Sequence, residues 1–242
     1  MPPHEINEDD GDADDFEELD GDTATRRQLG SRAHLLLAAN YSVETGFAKR
    51  TDAMQTIDEA VRDSMERTDL ASNIVIVHGA AGTGKTALLG QYAHEFSSSD
   101  DFFVFYHSFG PFTGSYWLQD CLYRLCTALS RRMAVEADTI DSWDPVPLSH
   151  DVEELQRSAA KMLASICNSP RTRFALVVVD GLDMCMDPLP LGWIPSEVKD
   201  GCAILASITT GTGTGDALMD SIEAMANPGW ILLELQALTR IE

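Results

Sequence analysis

The sequence predicts an α/β protein, a three-layer sandwich in which helices cover both faces of a five-stranded, mainly parallel sheet. Apolar runs of five to seven residues alternate along the chain with amphipathic segments of helical period. Strands joined by helices need crossover connections, which make the strands parallel and bury both faces of the sheet. The chain has 242 residues, which is enough for one such domain with its own core.

The individual elements follow from these runs. Strands are predicted at 73–78, 102–107, 174–180, 203–207 and 230–235. Helices are predicted at 51–67, 84–96, 116–133, 151–167 and 216–226. Gly211–Gly215 alternates Gly and Thr but lacks a following Lys-Ser/Thr pair, so a mobile loop is predicted there.

The net charge of −22 is unevenly distributed. Residues 1–22 hold 11 acidic side chains and no Lys or Arg, leaving 28 acids against 17 bases, or −11, for residues 23–242. A segment so charged and so poor in apolar residues cannot bury enough surface to fold, and we expect an acidic disordered tail over 1–30. An acidic body argues against nucleic acid or anionic membrane as a partner.

Three features that the sequence lacks bear on the cellular location of the protein. The amino terminus is acidic where a secretory signal would be basic and then apolar, and no apolar run approaches the length of a membrane span. The five cysteines contain no C-x-x-C pair, which is typical of reduced thiols. We therefore expect a cytoplasmic protein.

The stretch Gly79-Ala80-Ala81-Gly82-Thr83-Gly84-Lys85-Thr86 carries the chemistry. It matches the phosphate-loop (P-loop, or Walker A) pattern G-x-x-x-x-G-K-[ST] in full, after an apolar strand and before a helix. Glycines let successive backbone N–H groups point at phosphate oxygens, and the helix adds its unpaired N–H groups and positive dipole end. Lys85 would reach the β- and γ-phosphates and the Thr86 hydroxyl would bind Mg²⁺, so ATP and Mg²⁺ are the expected cofactors.

The second half of such a site is an acid at the end of another buried strand, the Walker B position. Asp180 ends the run Leu176–Val179 and is predicted to hold the Mg²⁺ shell, although an Asp-Gly turn closing a strand is the plain alternative. Asp183, three residues further on, is predicted to polarise an attacking water. Ser207 ends the fourth strand, where it could contact the γ-phosphate or simply be solvated.

The order of these motifs resembles the STAND class of signal-transduction ATPases, especially its NACHT group. The resemblance rests on Gly46–Arg50, the phosphate loop, Phe174–Asp183 and Ala206–Thr209 over roughly residues 45–238. Val104–Ser115 with Leu122–Cys126 looks closer still to nephrocystin and telomerase-associated NACHT proteins.

This resemblance implies a sheet of the additional-strand type, in which the fourth strand separates the Walker A and Walker B strands. It also implies that Arg50 contacts the nucleotide on its adenine side, and that ATP gates a switch that controls assembly. Protein partners would then bind through a C-terminal repeat region, missing here or separate, and an oligomer is possible.

The sequence departs from the family at three places. Lys49 and Thr51 stand where Gly and Glu are usual, Met184 replaces a further acid after Asp183, and Ile208 and Thr209 occupy the area of the sensor Arg. These departures leave ATP binding intact but predict slow hydrolysis at most.

The domain limits follow from these motifs. The acidic tail of 1–30 is followed by an entry segment with a pre-loop helix at 31–68, and then by the NTPase domain at 69–242. Thr239–Glu242 is a capping-box pattern that announces a further helix, so we expect the front part of a longer or truncated protein.

Two alternatives to a switch remain open. A small-molecule or nucleoside kinase would use the same loop, but it needs an Arg-rich lid, and only Lys199 and Arg240 follow Gly181. A non-hydrolysing nucleotide-binding fragment is the other. The absence of an Asn/Thr-Lys-x-Asp motif argues against a GTPase.

Overall fold

A computed structural model describes residues 34–35, 38, 50–66, 74–99, 101–111, 113–140, 148–187, 201–225 and 230–237. The helices are α1 (Thr51–Glu66), α2 (Lys85–Phe96), α3 (Leu118–Glu136), α4 (Val152–Cys167) and α5 (Gly213–Met225). The strands are β1 (Ile74–Gly79), β2 (Phe102–Ser108), β3 (Phe174–Asp180), β4 (Cys202–Thr209) and β5 (Trp230–Glu234), and a 3₁₀ turn covers Leu182–Met184.

The five strands form one parallel sheet in the order β2-β3-β4-β1-β5. The predicted fold class is thereby confirmed, including the position of β4 between β1 and β3. The register aligns the carboxyl ends of the strands, with Gly79 opposite Thr209 and Ser108 opposite Asp180. Polar residues that lie far apart in sequence therefore meet at one edge of the sheet.

Alternate residues of the strands face two separate cores. On β1, Ile74 and Ile76 pack with α3, α4 and α5, whereas Val75 and Val77 pack with α1 and α2. This period of two within all-apolar strands is what a sheet buried on both faces requires. The apolar stripe of α1 (Met54, Ile57, Ala60 and Val61) lies in the same core as β1 and α2, which fixes the residues just before it beside the phosphate loop.

One sequence interpretation was wrong in part. Gly213–Gly215 is not loop but the first turn of α5, because Asp216 accepts a hydrogen bond from the Gly211 N–H at 2.8 Å and so closes the turn that starts the helix. The predicted acidic tail at 1–30, the Gly46–Lys49 part of the Gly46–Arg50 motif and the capping box at Thr239–Glu242 lie outside the described residues. No helix in the described parts of the chain is long and apolar enough to cross a membrane.

Candidate functional site

The phosphate loop follows β1 directly and ends at the first turn of α2. Gly79 has φ 154°, and a Cβ there would lie 2.3 Å from the Leu235 carbonyl oxygen, so only glycine fits. Gly84 is the residue before the helix, in the left-handed region, and no side chain caps the N–H groups that follow it. The loop therefore presents free backbone donors at the positive end of a helix dipole, which is an anion-binding arrangement.

Lys85 is folded back over this loop and is only 7% exposed. Its ammonium donates to the carbonyl oxygens of Gly79 and Ala80, each at 2.8 Å. Burial lowers the pKa of Lys85, and the nearby carboxylates of Asp183 and Asp180 oppose that shift. A positive charge is thus held by two loop carbonyls and favoured by two acids, in a position where phosphate oxygens could replace the carbonyls.

Thr83 and Arg50 shape the outer side of the loop. The Thr83 hydroxyl donates to the Ala80 carbonyl at 3.0 Å, and the Thr83 N–H approaches the same oxygen at 3.4 Å. The guanidinium of Arg50 donates to the Thr83 carbonyl at 2.8 Å and to the Gln236 carbonyl at 2.6 Å. The structure therefore brings Arg50 to the loop, as expected, but its terminal nitrogens bind backbone carbonyls.

Asp180 ends β3 and is 3% exposed. Ser207 donates to one of its carboxylate oxygens at 2.5 Å, and Ser108 donates to the other at 3.3 Å. Burial raises the pKa of Asp180, while hydrogen bonds from Ser207, then Thr86 and Ser108, lower it. A buried carboxylate held by hydroxyl groups from both neighbouring strands has a fixed orientation.

The Ser207 hydroxyl uses both its donor and its acceptor function at this end of β3. Its hydroxyl donates to Asp180 and accepts from the Gly181 N–H at 2.8 Å, and the side chain is 1% exposed. A direct contact with a γ-phosphate would require the hydroxyl to leave the carboxylate.

Asp183 lies in the 3₁₀ turn after β3 and is half-buried. One of its carboxylate oxygens accepts the Thr209 N–H at 2.9 Å, which ties the turn to the end of β4. The charge of Asp183 raises the pKa of Lys85, so a negative charge lies at the same edge of the sheet as the loop. Whether it polarises a water stays a prediction.

The donor set around Thr86 suits a magnesium ion. Thr86 is the second residue of α2, and its hydroxyl lies close enough to the Asp180 carboxylate to lower that group's pKa. Hydroxyl and carboxylate oxygens are hard ligands, and Mg²⁺ commonly takes one or two protein ligands and completes its shell with phosphate and water. Among the described residues no cluster of three or more His, Cys, Asp or Glu forms a metal site, so a cation here would depend on the nucleotide for ligands.

Sequence reasoning missed two features of this edge. Ser108 reaches Asp180 because β2 pairs with β3 in register, and no local pattern marks it. Behind it lies a buried basic cluster, in which Arg124 on α3 contacts the His34 ring at 2.7 Å and His107 at 3.5 Å. His34 also accepts the Ser108 N–H at 3.1 Å.

Comparison with known proteins gives one family match, the AAA ATPase domain, over residues 47–207. A search of the curated proteins found no match. Among solved structures, the chain is similar to one described as Drosophila ORC bound to DNA, at 14% identity and a TM-score of 0.47, over 80% of this chain and 97% of that one.

Two further structures are more distant in shape. C. elegans PCH-2 shares 12% identity at a TM-score of 0.41, over 76% of this chain and 41% of that one. AMPPCP-bound DnaA from Aquifex aeolicus shares 16% identity at a TM-score of 0.32, over 75% of this chain and 44% of that one. The chain thus spans less than half the length of these two proteins.

Proposed function

We propose that this chain, which belongs to the AAA ATPase domain family, is an ATP- and Mg²⁺-binding switch of the STAND class, close to the NACHT group. One observation carries the proposal: the buried ammonium of Lys85 donates to the loop carbonyls of Gly79 and Ala80, and the charges of Asp183 and Asp180 raise its pKa. Family membership implies nucleotide binding; the STAND class and the switching role go beyond it and rest on the motifs of the sequence.

Binding follows from the loop's own groups. A triphosphate would accept hydrogen bonds from the uncapped N–H groups at the start of α2 and would draw the Lys85 ammonium away from the two carbonyls. Because Lys85 is buried, its charge acts in a medium of lower dielectric than water, and the contact is worth more than a surface ion pair. Thr86 and Asp180 would hold Mg²⁺, which neutralises phosphate charge when bound.

Hydrolysis is proposed to be slow because few groups are left to promote it. Asp183 would orient a water through its second oxygen, since its first accepts the Thr209 N–H. The next residue, Met184, is 48% exposed and cannot act as a second base. No arginine lies at the end of β4, where Ile208 and Thr209 are found. A tightly held nucleotide with slow turnover is what a switch needs.

The remaining assignments are also proposals. We propose that the switch acts in the cytoplasm, by assembly into an oligomer or with protein partners, rather than on nucleic acid or membrane. The limits of 1–30, 31–68 and 69–242 for tail, entry segment and NTPase domain stay predictions. The family match begins at residue 47, within the second of these segments.

Nucleotide binding and turnover of the full chain test the proposal. We expect Lys85→Ala to lower ATP affinity about 10- to 100-fold, because a charged hydrogen bond to phosphate is lost. We expect Asp180→Asn to lower turnover about 100-fold with a smaller change in affinity, because it removes charge at the metal position. Lys161→Ala and Asp220→Asn, exposed positions on α4 and α5, are matched controls and should behave as wild type.

Three outcomes would contradict the proposal. A folded wild-type chain that does not bind ATP–Mg²⁺ at millimolar concentration would remove its basis. Turnover that rises many-fold with an added small-molecule or nucleoside acceptor would identify a kinase. Unchanged turnover in Asp180→Asn would show that Asp180 has no part in the reaction.

A further inference from the structure

Arg50 joins two parts of the chain that are 153 positions apart, Thr83 and Gln236. One terminal nitrogen donates to the Thr83 carbonyl within the phosphate loop, and the other donates to the Gln236 carbonyl just after β5. The remaining guanidinium nitrogen, Nε, is buried without a hydrogen-bond partner. The planar, forked guanidinium can hold two acceptors at once in a fixed geometry.

The residues after β5, Leu235–Ala237, which we name the exit segment, also contact the start of the loop directly. The Leu235 N–H donates to the His78 carbonyl at 2.7 Å, and Leu235 is 3% exposed. The Leu235 carbonyl oxygen occupies the space that a side chain at Gly79 would need. The exit segment therefore rests on the first residue of the loop, and Arg50 ties it to the fifth.

A chain of contacts links the ammonium of Lys85 to this tie. The Ala80 carbonyl accepts from Lys85 at 2.8 Å and also from the Thr83 hydroxyl at 3.0 Å. When phosphate draws Lys85 away, the Ala80 peptide loses one of its two side-chain donors. The Thr83 peptide hydrogen-bonds to Ala80 and presents its own carbonyl to Arg50, so a change at Ala80 reaches the guanidinium.

We propose that Arg50 is a positioning residue that transmits nucleotide occupancy of the phosphate loop to the exit segment. It acts through the Thr83 and Gln236 carbonyls and does not contact the base or ribose. This inference rests on nucleotide binding at Gly79–Thr86, as proposed above. It assigns Arg50 a role different from the adenine-side contact that the sequence resemblance implies.

Two ligands separate these roles. Affinities for ATP and for inorganic tripolyphosphate, both with Mg²⁺, are measured for wild type, Arg50→Ala and Arg50→Lys. If Arg50 positions the loop, Arg50→Ala lowers both affinities by the same factor, about tenfold for a lost charge-assisted bond. Arg50→Lys lowers them comparably, since a compact ammonium lacks the planar fork whose two separate nitrogens reach the Thr83 and Gln236 carbonyls. A loss for ATP alone, or for neither ligand, would overturn the proposal.

Hydrogen–deuterium exchange over residues 230–237 measures the transmission itself. In wild type we expect saturating ATP–Mg²⁺ to slow exchange of the Leu235 amide severalfold, because phosphate bound to the loop N–H groups would hold the loop more rigidly and, through Arg50, the exit segment as well. At matched saturation this slowing should vanish in Arg50→Ala and persist in Arg62→Ala. Arg62 lies on α1, the helix that follows Arg50; its side chain is 69% exposed and forms an ion pair with Asp58. Far-UV circular dichroism confirms that each variant is folded.

The outcomes distinguish this inference from the proposed function. Wild type that binds neither ligand would refute both. Wild type that binds ATP but shows no slowing at Leu235, or Arg50→Ala that keeps the slowing, would refute the transmission and leave nucleotide binding in place.

Discussion

The phosphate loop and the acidic end of β3 meet at one edge of the sheet, but different kinds of group hold them in place. The loop is organised by backbone atoms: Lys85 binds the carbonyls of Gly79 and Ala80, and Arg50 binds that of Thr83. The loop conformation also depends on glycine at the positions where φ is positive. Apart from the support of Arg50 and the exit segment, the loop is therefore encoded within eight consecutive residues.

The acidic end is organised by side chains from other strands. Asp180 is oriented by hydroxyl groups from β2 and β4, and Asp183 by a backbone N–H at the end of β4. None of these partners is within 25 positions of its acid. The loop thus takes most of its contacts from its own residues, with Arg50 and the exit segment as its distant supports, whereas the acidic end depends on the register of the sheet.

The largest expected effect separates two glycines of the loop. Gly79→Ala places a Cβ against the Leu235 carbonyl, so backbone must move, and we expect a loss of about 3 kcal/mol in the free energy of unfolding. Gly82→Ala keeps a left-handed φ of 78° but meets no atom within 4 Å, so only conformational strain of about 1 kcal/mol is expected. Urea denaturation of the full chain measures both.

Gly213→Ala is the matched control for this pair. Gly213 has an ordinary φ, opens α5 and has free space around it, so alanine there should be neutral or stabilise by up to about 1 kcal/mol. Equal losses in Gly79→Ala and Gly82→Ala would show that the exit segment does not constrain the loop.

The same contrast explains what the sequence could predict of the fold. All five predicted strands and all five predicted helices are present, with ends that coincide or differ by at most three residues, because apolar periodicity is a local signal. The strand order needed the resemblance to a known family, since periodicity does not say which strands pair. Gly211–Gly215 was misassigned because the hydrogen bond that starts α5, from Gly211 N–H to Asp216, depends on a residue that follows the glycines.

The residues of the candidate site also fall into two groups, those that a local sequence pattern marks and those that only the folded chain brings together. The loop residues and Asp180 could be named from the sequence because each belongs to a contiguous pattern. Ser108 and the Gln236 carbonyl could not, because they reach the site only once β2 pairs with β3 and the exit segment folds over β1. Ser207 could be predicted from the sequence as a site residue. Its hydrogen bond to Asp180 could not, because it forms only when β3 pairs with β4.

Ser207→Ala sharpens the dependence of the acidic end on its neighbours. The change removes a donor to Asp180 and leaves the Gly181 N–H without its acceptor, so we expect a loss of about 1 to 3 kcal/mol in the free energy of unfolding. The concentration of Mg²⁺ needed for half-maximal turnover should also rise. Ser221→Ala, on the exposed face of α5, should change stability by less than about 0.5 kcal/mol. An equal effect of the two substitutions would contradict the role given to Ser207.

The smallest expected effect concerns the basic cluster behind Ser108. Burial and then the charge of Arg124 lower the pKa of His34 to about 3, and the same causes, with His34, hold that of His107 well below its usual range. Unfolded histidine takes up a proton near pH 6.5, so the stabilisation is complete above that pH and is lost as the pH falls from about 6.5 towards the lower folded pKa. Between pH 7.5 and 5.5 each histidine should therefore reduce the free energy of unfolding by about 1 kcal/mol.

His34→Gln should remove its share of this decrease and exposed His94→Gln should not, as measured by urea unfolding at both pH values. An unchanged pH dependence in His34→Gln would mean that burial beside Arg124 does not keep His34 uncharged in the folded protein.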